Sequence, residues 1–150
     1  MKDNIVKFIA TYGYTGYFPV ASGTFASAVA VGMCYFLKSN LTLYIAVFLV
    51  ITIVGFLVSD RMEELAGQKD PGCIVIDEAA GIMISFFMLP WTPSVVWTAF
   101  FLFRAFDMFK IYPVNRLEEF KGGVGVMLDD IFAGIYTNLT MHIALKLIGA

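Results

Sequence analysis

The sequence predicts an all-α, polytopic membrane helical bundle. Residues 1–150 read as a single membrane-embedded domain with about five membrane helices and short interfacial or polar helices beside them. Three observations carry this. Hydrophobic residues make up 59% of the chain and charged residues 15%, against about 45–50% and about 25% in ordinary soluble domains. Positions 8–37, 39–59, 79–103 and 131–145 hold no Asp, Glu, Lys or Arg, and about 20 apolar residues suffice to cross a bilayer core. Pro90 and Pro93 interrupt the third of these runs. Each lacks an amide donor and disfavours helix in the residue before it, so this run reads as a hairpin.

The elements follow in order. Residues 2–11 suit a short interfacial helix with Lys2 and Lys7 on its polar face. Gly13, Tyr14, Gly16 and Pro19 then break the apolar run too early for the core of a cleavable signal peptide, and none is expected. The first membrane helix runs from Ser22 or Phe25 to Leu37, with Ser22 or Thr24 as its N-cap. After a turn at Ser39-Asn40, the second runs from Leu41 to Val58 and continues as a polar helix to Leu65. The hairpin supplies helices from Asp77 to Leu89 and from Ser94 to Lys110. The fifth runs from Met127 to Leu147, after the Gly122-Gly123-Val124-Gly125 loop. Cys34 and Cys73 have no metal-type spacing and read as unpaired thiols.

Charge tests this layout. Lys2, Lys7, Arg61, Lys69, Arg104, Lys110, Arg116 and Lys121 fall on one side, with all twelve acids, while only Lys38 and Lys146 fall on the other. By the positive-inside rule the charged side is cytoplasmic. A net charge of −2 argues against binding the phosphate backbone of a nucleic acid.

Five carboxylates end or interrupt apolar segments: Asp77, Glu78, Asp107, Asp129 and Asp130. Charge there is costly unless paired, hydrated or metal-bound. The helix macrodipole favours acids near a helix N-terminus, which is one account of Asp77-Glu78 and Asp129-Asp130. Two such pairs together with Asp107 on one rim repel each other unless a cation joins them. Mg²⁺ takes oxygen ligands from a few carboxylates, water and phosphate. Asp77, Glu78, Asp129 and Asp130 are therefore the candidate metal ligands. Arg104, Asp107 and Lys110 recur every three residues along one helical face. They read either as an ion-pair ladder or as a phosphate clamp in which Arg104 and Lys110 face an anionic lipid head. Thr24, in Ser22-Gly23-Thr24, is a further candidate for phosphate contact or for capping. The glycines at 122–125 suit either a phosphate-cradling helix start or a flexible loop. His142, the one histidine, lies toward the opposite side and reads as structural or interfacial.

Four stretches resemble the phosphatidylglycerophosphatase A family: Gly16 to Thr24, Asp70 to Glu78, Arg104 to Lys110, and Gly122 to Gly134. They keep the family's order and rough spacing over nearly the whole chain. Ser22 and Ile111 stand where that family usually has proline. The resemblance implies a Mg²⁺-dependent phosphatase that removes the terminal phosphate of phosphatidylglycerophosphate. Such an enzyme is a multi-pass protein of a bacterial inner or plasma membrane, with its active site facing the cytoplasm. Asp107 and Asp129 are the catalytic candidates. Asp107 would orient or deprotonate the attacking water; alternatively, Asp107 or Asp129 would take the phosphoryl group. Two other chemistries lack their residues. No Asp-x-Asp nucleophile motif is present, and no histidine lies at the charged rim. The rival reading is a small ion- or proton-coupled carrier with a carboxylate relay.

Overall fold

The computed structural model describes residues 2–109, 112 and 122–149. It is all helical across them: α1 (Asp3–Ala10), a 3-10 turn (Thr15–Tyr17), α2 (Ser22–Leu37), α3 (Leu41–Ala66), α4 (Ile76–Ser85), α5 (Pro93–Phe109) and α6 (Gly123–Ile148). Lys110 and Ile111, and Arg116 and Lys121 in the predicted polar loop, lie outside the described residues.

Among the described residues two helices, not about five, are long and apolar enough to cross a membrane: α3 and α6, of 26 residues each. At 1.5 Å per residue each reaches about 39 Å, beyond a core of about 30 Å. The expectation of five spans is corrected because the other apolar runs are divided by turns: α2 has 16 residues, α4 has 10 and α5 has 17. The long helices are not the buried core of a soluble globule. Leu49, Val50, Ile53 and Leu57 on α3, and Leu139, Ile143 and Leu147 on α6, are exposed. An apolar surface this extensive marks contact with lipid or partner protein.

The predicted hairpin is present. α4 and α5 are separated at 86–92, and α5 starts at Pro93, whose missing amide costs nothing in a first helical turn. α4 is the axis of the bundle. All its residues except Ile84 are buried, and it packs against α6, α2, α3 and α5. Its Ala79-Ala80-Gly81 run permits this. A Cβ on Gly81 would lie 2.7 Å from the Asp130 carbonyl oxygen and from the Phe103 ring, and one on Gly134 would strike the Gly81 carbonyl. Two glycines thus bring α4 and α6 into backbone contact, as small residues do between membrane helices, and seat Asp130 beside α4.

α4 stops at Ser85, short of the predicted Leu89, inside an apolar environment where free carbonyls are costly. Its last carbonyls are all engaged. Ile82 O accepts from the Phe86 amide at 3.0 Å, and Ile84 O from the Phe87 amide at 3.1 Å. Met83 O accepts from the Tyr44 hydroxyl at 2.6 Å. Asn138 Nδ2 donates to Ser85 O at 3.2 Å and to Phe87 O at 2.8 Å. His142 Nε2 lies 3.3 Å from Phe87 O, in keeping with its structural reading. Asn138→Leu removes both donors, and the expected destabilisation is about 1–2 kcal/mol. A fall in the thermal unfolding midpoint in detergent checks it; an unmoved midpoint would mean that these carbonyls find other donors.

Candidate active site

Three helices bring the predicted carboxylates to one end of the bundle. α4 begins with Ile76, so Asp77 and Glu78 occupy its first turn, where the macrodipole favours acids. α6 begins at Gly123, four residues before the predicted start. This places Asp129 and Asp130 in its second turn rather than at its opening. The macrodipole acts within the first turn, so it accounts for the first acidic pair and leaves the second unexplained. Asp107 projects from the last turns of α5.

Asp77, Glu78, Asp129 and Asp130 are all buried. Asp130 lies within the electrostatic field of Asp77, Glu78, Asp107 and Asp129, and Asp77 within that of Glu78, Asp129 and Asp70. Asp77 Oδ1 accepts from the Glu78 amide at 2.9 Å, and Asp129 Oδ1 from the Asp130 amide at 3.0 Å. These local bonds orient one oxygen of each acid. Among the described residues no cation stands within ion-pair distance of Asp77 or Asp130.

Glu78 is held differently. Its Oε2 accepts from the Ser27 hydroxyl and from the Arg104 guanidinium. Arg104 Nη1 also pairs with Asp107 Oδ2 at 2.7 Å. The side chains of Arg104, Glu78 and Asp107 are only 11–16% exposed, so the bridge is largely withdrawn from water. Gly23 makes room for it: a Cβ there would strike the Glu78 carboxylate and lie 3.4 Å from Arg104 Nη2. In the described structure Arg104 therefore spans two carboxylates and ties α5 to α4.

The other candidates are placed as follows. Thr24 is half-buried in the first turn of α2, and no hydrogen bond of its side chain is found among the described residues. Neither Ser22 nor Thr24 caps α2: the N-cap is Ala21, with φ of 49°, and the Ser22 hydroxyl donates to Gly72 O at 3.1 Å. Lys110 lies outside the described residues. Gly122 has φ of 72°, which its lack of a side chain permits, and the Gly123 amide donates to Asp60 Oδ1 at 3.2 Å. That helix start is thus closed by a carboxylate of α3 instead of standing open to a phosphate. Cys34 and Cys73 are free, as expected. Burial pushes the Cys73 thiol up, which keeps it a neutral thiol at pH 7.

Ser27, Asp60 and Lys69 were not among the sequence candidates, and Gly23 and Asp70 entered only as members of longer motifs. Ser27 carries a legible signal, since it stands four residues after Gly23 and so on the same helical face. Asp60 meets Gly123 across 63 residues, and no local pattern announces that. Lys69 and Asp70, with Gly125, Val126 and Asp129, line a cleft of about 310 Å³. A larger cavity of about 500 Å³ lies at the other end, lined by Lys38, Tyr44, Phe86 and Trp91 among others, and no carboxylate lines it.

The donor set suits a hard dication. It is all oxygen, and Asp77 and Asp130 are buried with no described cation within ion-pair distance. Among the described residues no three acidic, histidine or cysteine side chains form a group placed to hold a metal ion. Mg²⁺ does not require one, because it keeps several waters and commonly binds one or two carboxylates plus substrate phosphate.

Comparison with known proteins identifies the family. The family model of phosphatidylglycerophosphatase A matches residues 8–145. A Bacteroides thetaiotaomicron protein whose name proposes a phosphatidylinositol-3-phosphatase is 35% identical over 144 residues, covering 90% of this chain and 90% of its own. The phosphatidylglycerophosphatase A of Haemophilus influenzae is 32% identical over 142 residues, covering 89% and 84%. That of Escherichia coli is 33% identical over 125 residues, covering 81% and 72%. No solved structure matches. With a family model spanning nearly its whole length and relatives aligned over most of theirs, the chain belongs to the phosphatidylglycerophosphatase A family and is a phosphatase.

Proposed function

We propose that this enzyme hydrolyses the terminal phosphomonoester of phosphatidylglycerophosphate, with Mg²⁺, at the cytoplasmic face of the membrane. The observation that carries this is the meeting of Asp77, Glu78, Asp107, Asp129 and Asp130, from three helices, at one end of a bundle whose long helices expose apolar side chains. Gathering at one end also argues against a carrier, whose relay needs acids spread through the membrane depth.

In this reading one acid of each pair, Asp77 or Glu78 on α4 and Asp129 or Asp130 on α6, would hold the cation, with its neighbour beside it. A bound dication would neutralise charge on the phosphoryl oxygens. The protein supplies the rest. Arg104, fixed between Glu78 and Asp107, holds the Asp107 carboxylate in place. Asp107 orients the attacking water and accepts its proton. The Arg104 guanidinium, with Lys110 three residues beyond Asp107 in sequence, stabilises charge growing on the phosphoryl oxygens. The alcohol oxygen leaves with the electrons of the broken O–P bond and takes up a proton, giving phosphatidylglycerol and phosphate. The same end carries eight of the ten basic residues in the sequence layout, which supports a cytoplasmic site.

The test is phosphate release by the purified protein in mixed micelles, with and without a chelator. Release from phosphatidylglycerophosphate that a chelator stops and added Mg²⁺ restores is expected. Release indifferent to the chelator would overturn the metal assignment. Faster release from phosphatidylinositol 3-phosphate would overturn the substrate.

A further inference from the structure

We infer that the bundle end opposite the carboxylates holds a second lipid site. It binds one anionic phospholipid, with the headgroup phosphate at Lys38 and an acyl chain in an apolar groove below. The site is separate from the phosphatase reaction. It lies beyond Ser85, where α4 stops, whereas Asp77 and Glu78 occupy the first turn of that helix. From Asp77 to Phe86 the backbone rises about 14 Å.

Two cavities make up the site. The first, of about 500 Å³, is lined by Lys38, Leu41, Phe86 and Trp91 among others. The second, of about 320 Å³, is lined by Ile45, Leu49, Ile84 and Asn138 among others. Tyr44 and Phe87 line both, so the two adjoin. Their depths differ. The first borders Leu41, where α3 starts, and the second reaches Leu49, about 12 Å further along that helix. A headgroup-sized space thus lies at the bundle end, and a groove descends from it. Ile45 and Leu49 are 39% and 50% exposed, so the groove opens to the outer surface. Its polar neighbours donate inward: the Tyr44 hydroxyl to Met83 O, and Asn138 Nδ2 to Ser85 O and Phe87 O. The groove therefore offers mainly hydrocarbon.

Charge fixes the sign of the headgroup. No carboxylate lines either cavity. Lys38 Nζ sits 3.8 Å from the centroid of the Tyr35 ring and 5.5 Å from that of Trp91. Ring faces attract a cation without cancelling its charge. Among the described residues no acid stands within ion-pair distance of Lys38. The start of α3 borders the same cavity, and its macrodipole adds to the positive potential.

Trp91 is held in place beside the lysine. Its ring lies 5.3 Å from that of Phe86 and meets Tyr35 edge-on at 5.7 Å. An indole and a lysine at a bundle end also serve as interfacial anchors. An anchor needs neither a cavity nor a groove, and here both adjoin the pair. Free phosphate would fill the first cavity and leave the groove unused. A phospholipid is the occupant that uses both.

Trp91 reports on the site, since Trp97 is the only other tryptophan in the chain. The test uses Trp97→Phe as background, reconstituted in phosphatidylcholine vesicles. Acyl-brominated phosphatidylglycerol should quench Trp91 at about one-fifth of the mole fraction that acyl-brominated phosphatidylcholine needs. Adding Lys38→Gln should abolish this fivefold preference. Adding Ile45→Phe, which fills the groove, should lower it as well. Lys146, the other basic residue on that side in the sequence layout, does not line the cavity, so Lys146→Gln should leave the preference intact. Comparing two lipids within one variant cancels any change in Trp91 emission when Lys38 is replaced. No preference in the background protein would overturn the site. So would a preference that survives Lys38→Gln or Ile45→Phe, or one that Lys146→Gln removes equally. Relief of quenching by aqueous glycerol 3-phosphate would overturn a lipid as the occupant. The measurement needs no turnover, so a protein that releases no phosphate fails the phosphatase reading and can still show this site.

Discussion

Replacing Asp130 by asparagine is expected to lower phosphate release by about a hundredfold or more while making the metal-free protein harder to unfold. Asp130 is 3% exposed and lies in the field of four other carboxylates. Asparagine keeps its shape and removes one charge from a group that repels itself. With the cation chelated, that relief should raise the thermal midpoint in detergent by a few degrees, corresponding to on the order of 1 kcal/mol. With Mg²⁺ added, the order reverses. The parent gains stability because the ion binds its folded form, and the variant gains much less. The activity loss follows from removing a ligand or a group that orients one. Opposite signs for activity and metal-free stability separate this account from a structural one, in which Asp130→Asn loses both. An active variant with an unaltered Mg²⁺ response would remove Asp130 from the site.

Much of this arrangement is legible in the sequence, and the exceptions have physical causes. The hairpin follows from Pro90 and Pro93, and the acidic rim from acids at the ends of charge-free runs. Element ends were harder to read. α4 stops at Ser85 because Tyr44 and Asn138, from other helices, take up its last carbonyls, and only tertiary structure shows this. α6 starts early because Asp60 accepts the Gly123 amide and lets glycine-rich sequence enter a helix. The number of spans was overestimated because absence of charge measures apolarity, whereas spanning also requires unbroken length. Arg104 was legible as a basic group beside Asp107. Its bond to Glu78, which joins two halves of the hairpin, depends on a cradle at Gly23 in a third helix.

That bridge carries the largest expected loss of stability. Arg104→Met should destabilise the protein by about 3–5 kcal/mol, because it strands Glu78 and Asp107, two mostly buried carboxylates, without their common counter-charge. The Ser27 hydroxyl still donates to Glu78, but one neutral donor cannot replace a guanidinium. Arg104→Lys should fall between, since an ammonium lacks the planar fork that reaches both carboxylates. Adding Glu78→Gln to Arg104→Met removes one stranded charge and should recover part of the lost stability, leaving Asp107 as the residual cost. Activity should not return with it, because neither the water-orienting carboxylate nor the phosphate is then held by Arg104. Unfolding midpoints of the parent, both single variants and the double variant form a cycle that measures the coupling. Additive effects would mean that the pair contributes no coupling. A loss below about 1 kcal/mol in Arg104→Met would mean that the bridge behaves as a solvated surface pair. Recovery of stability without recovery of turnover is the outcome that assigns Arg104 both tasks, tying α5 to α4 and presenting Asp107 to the substrate.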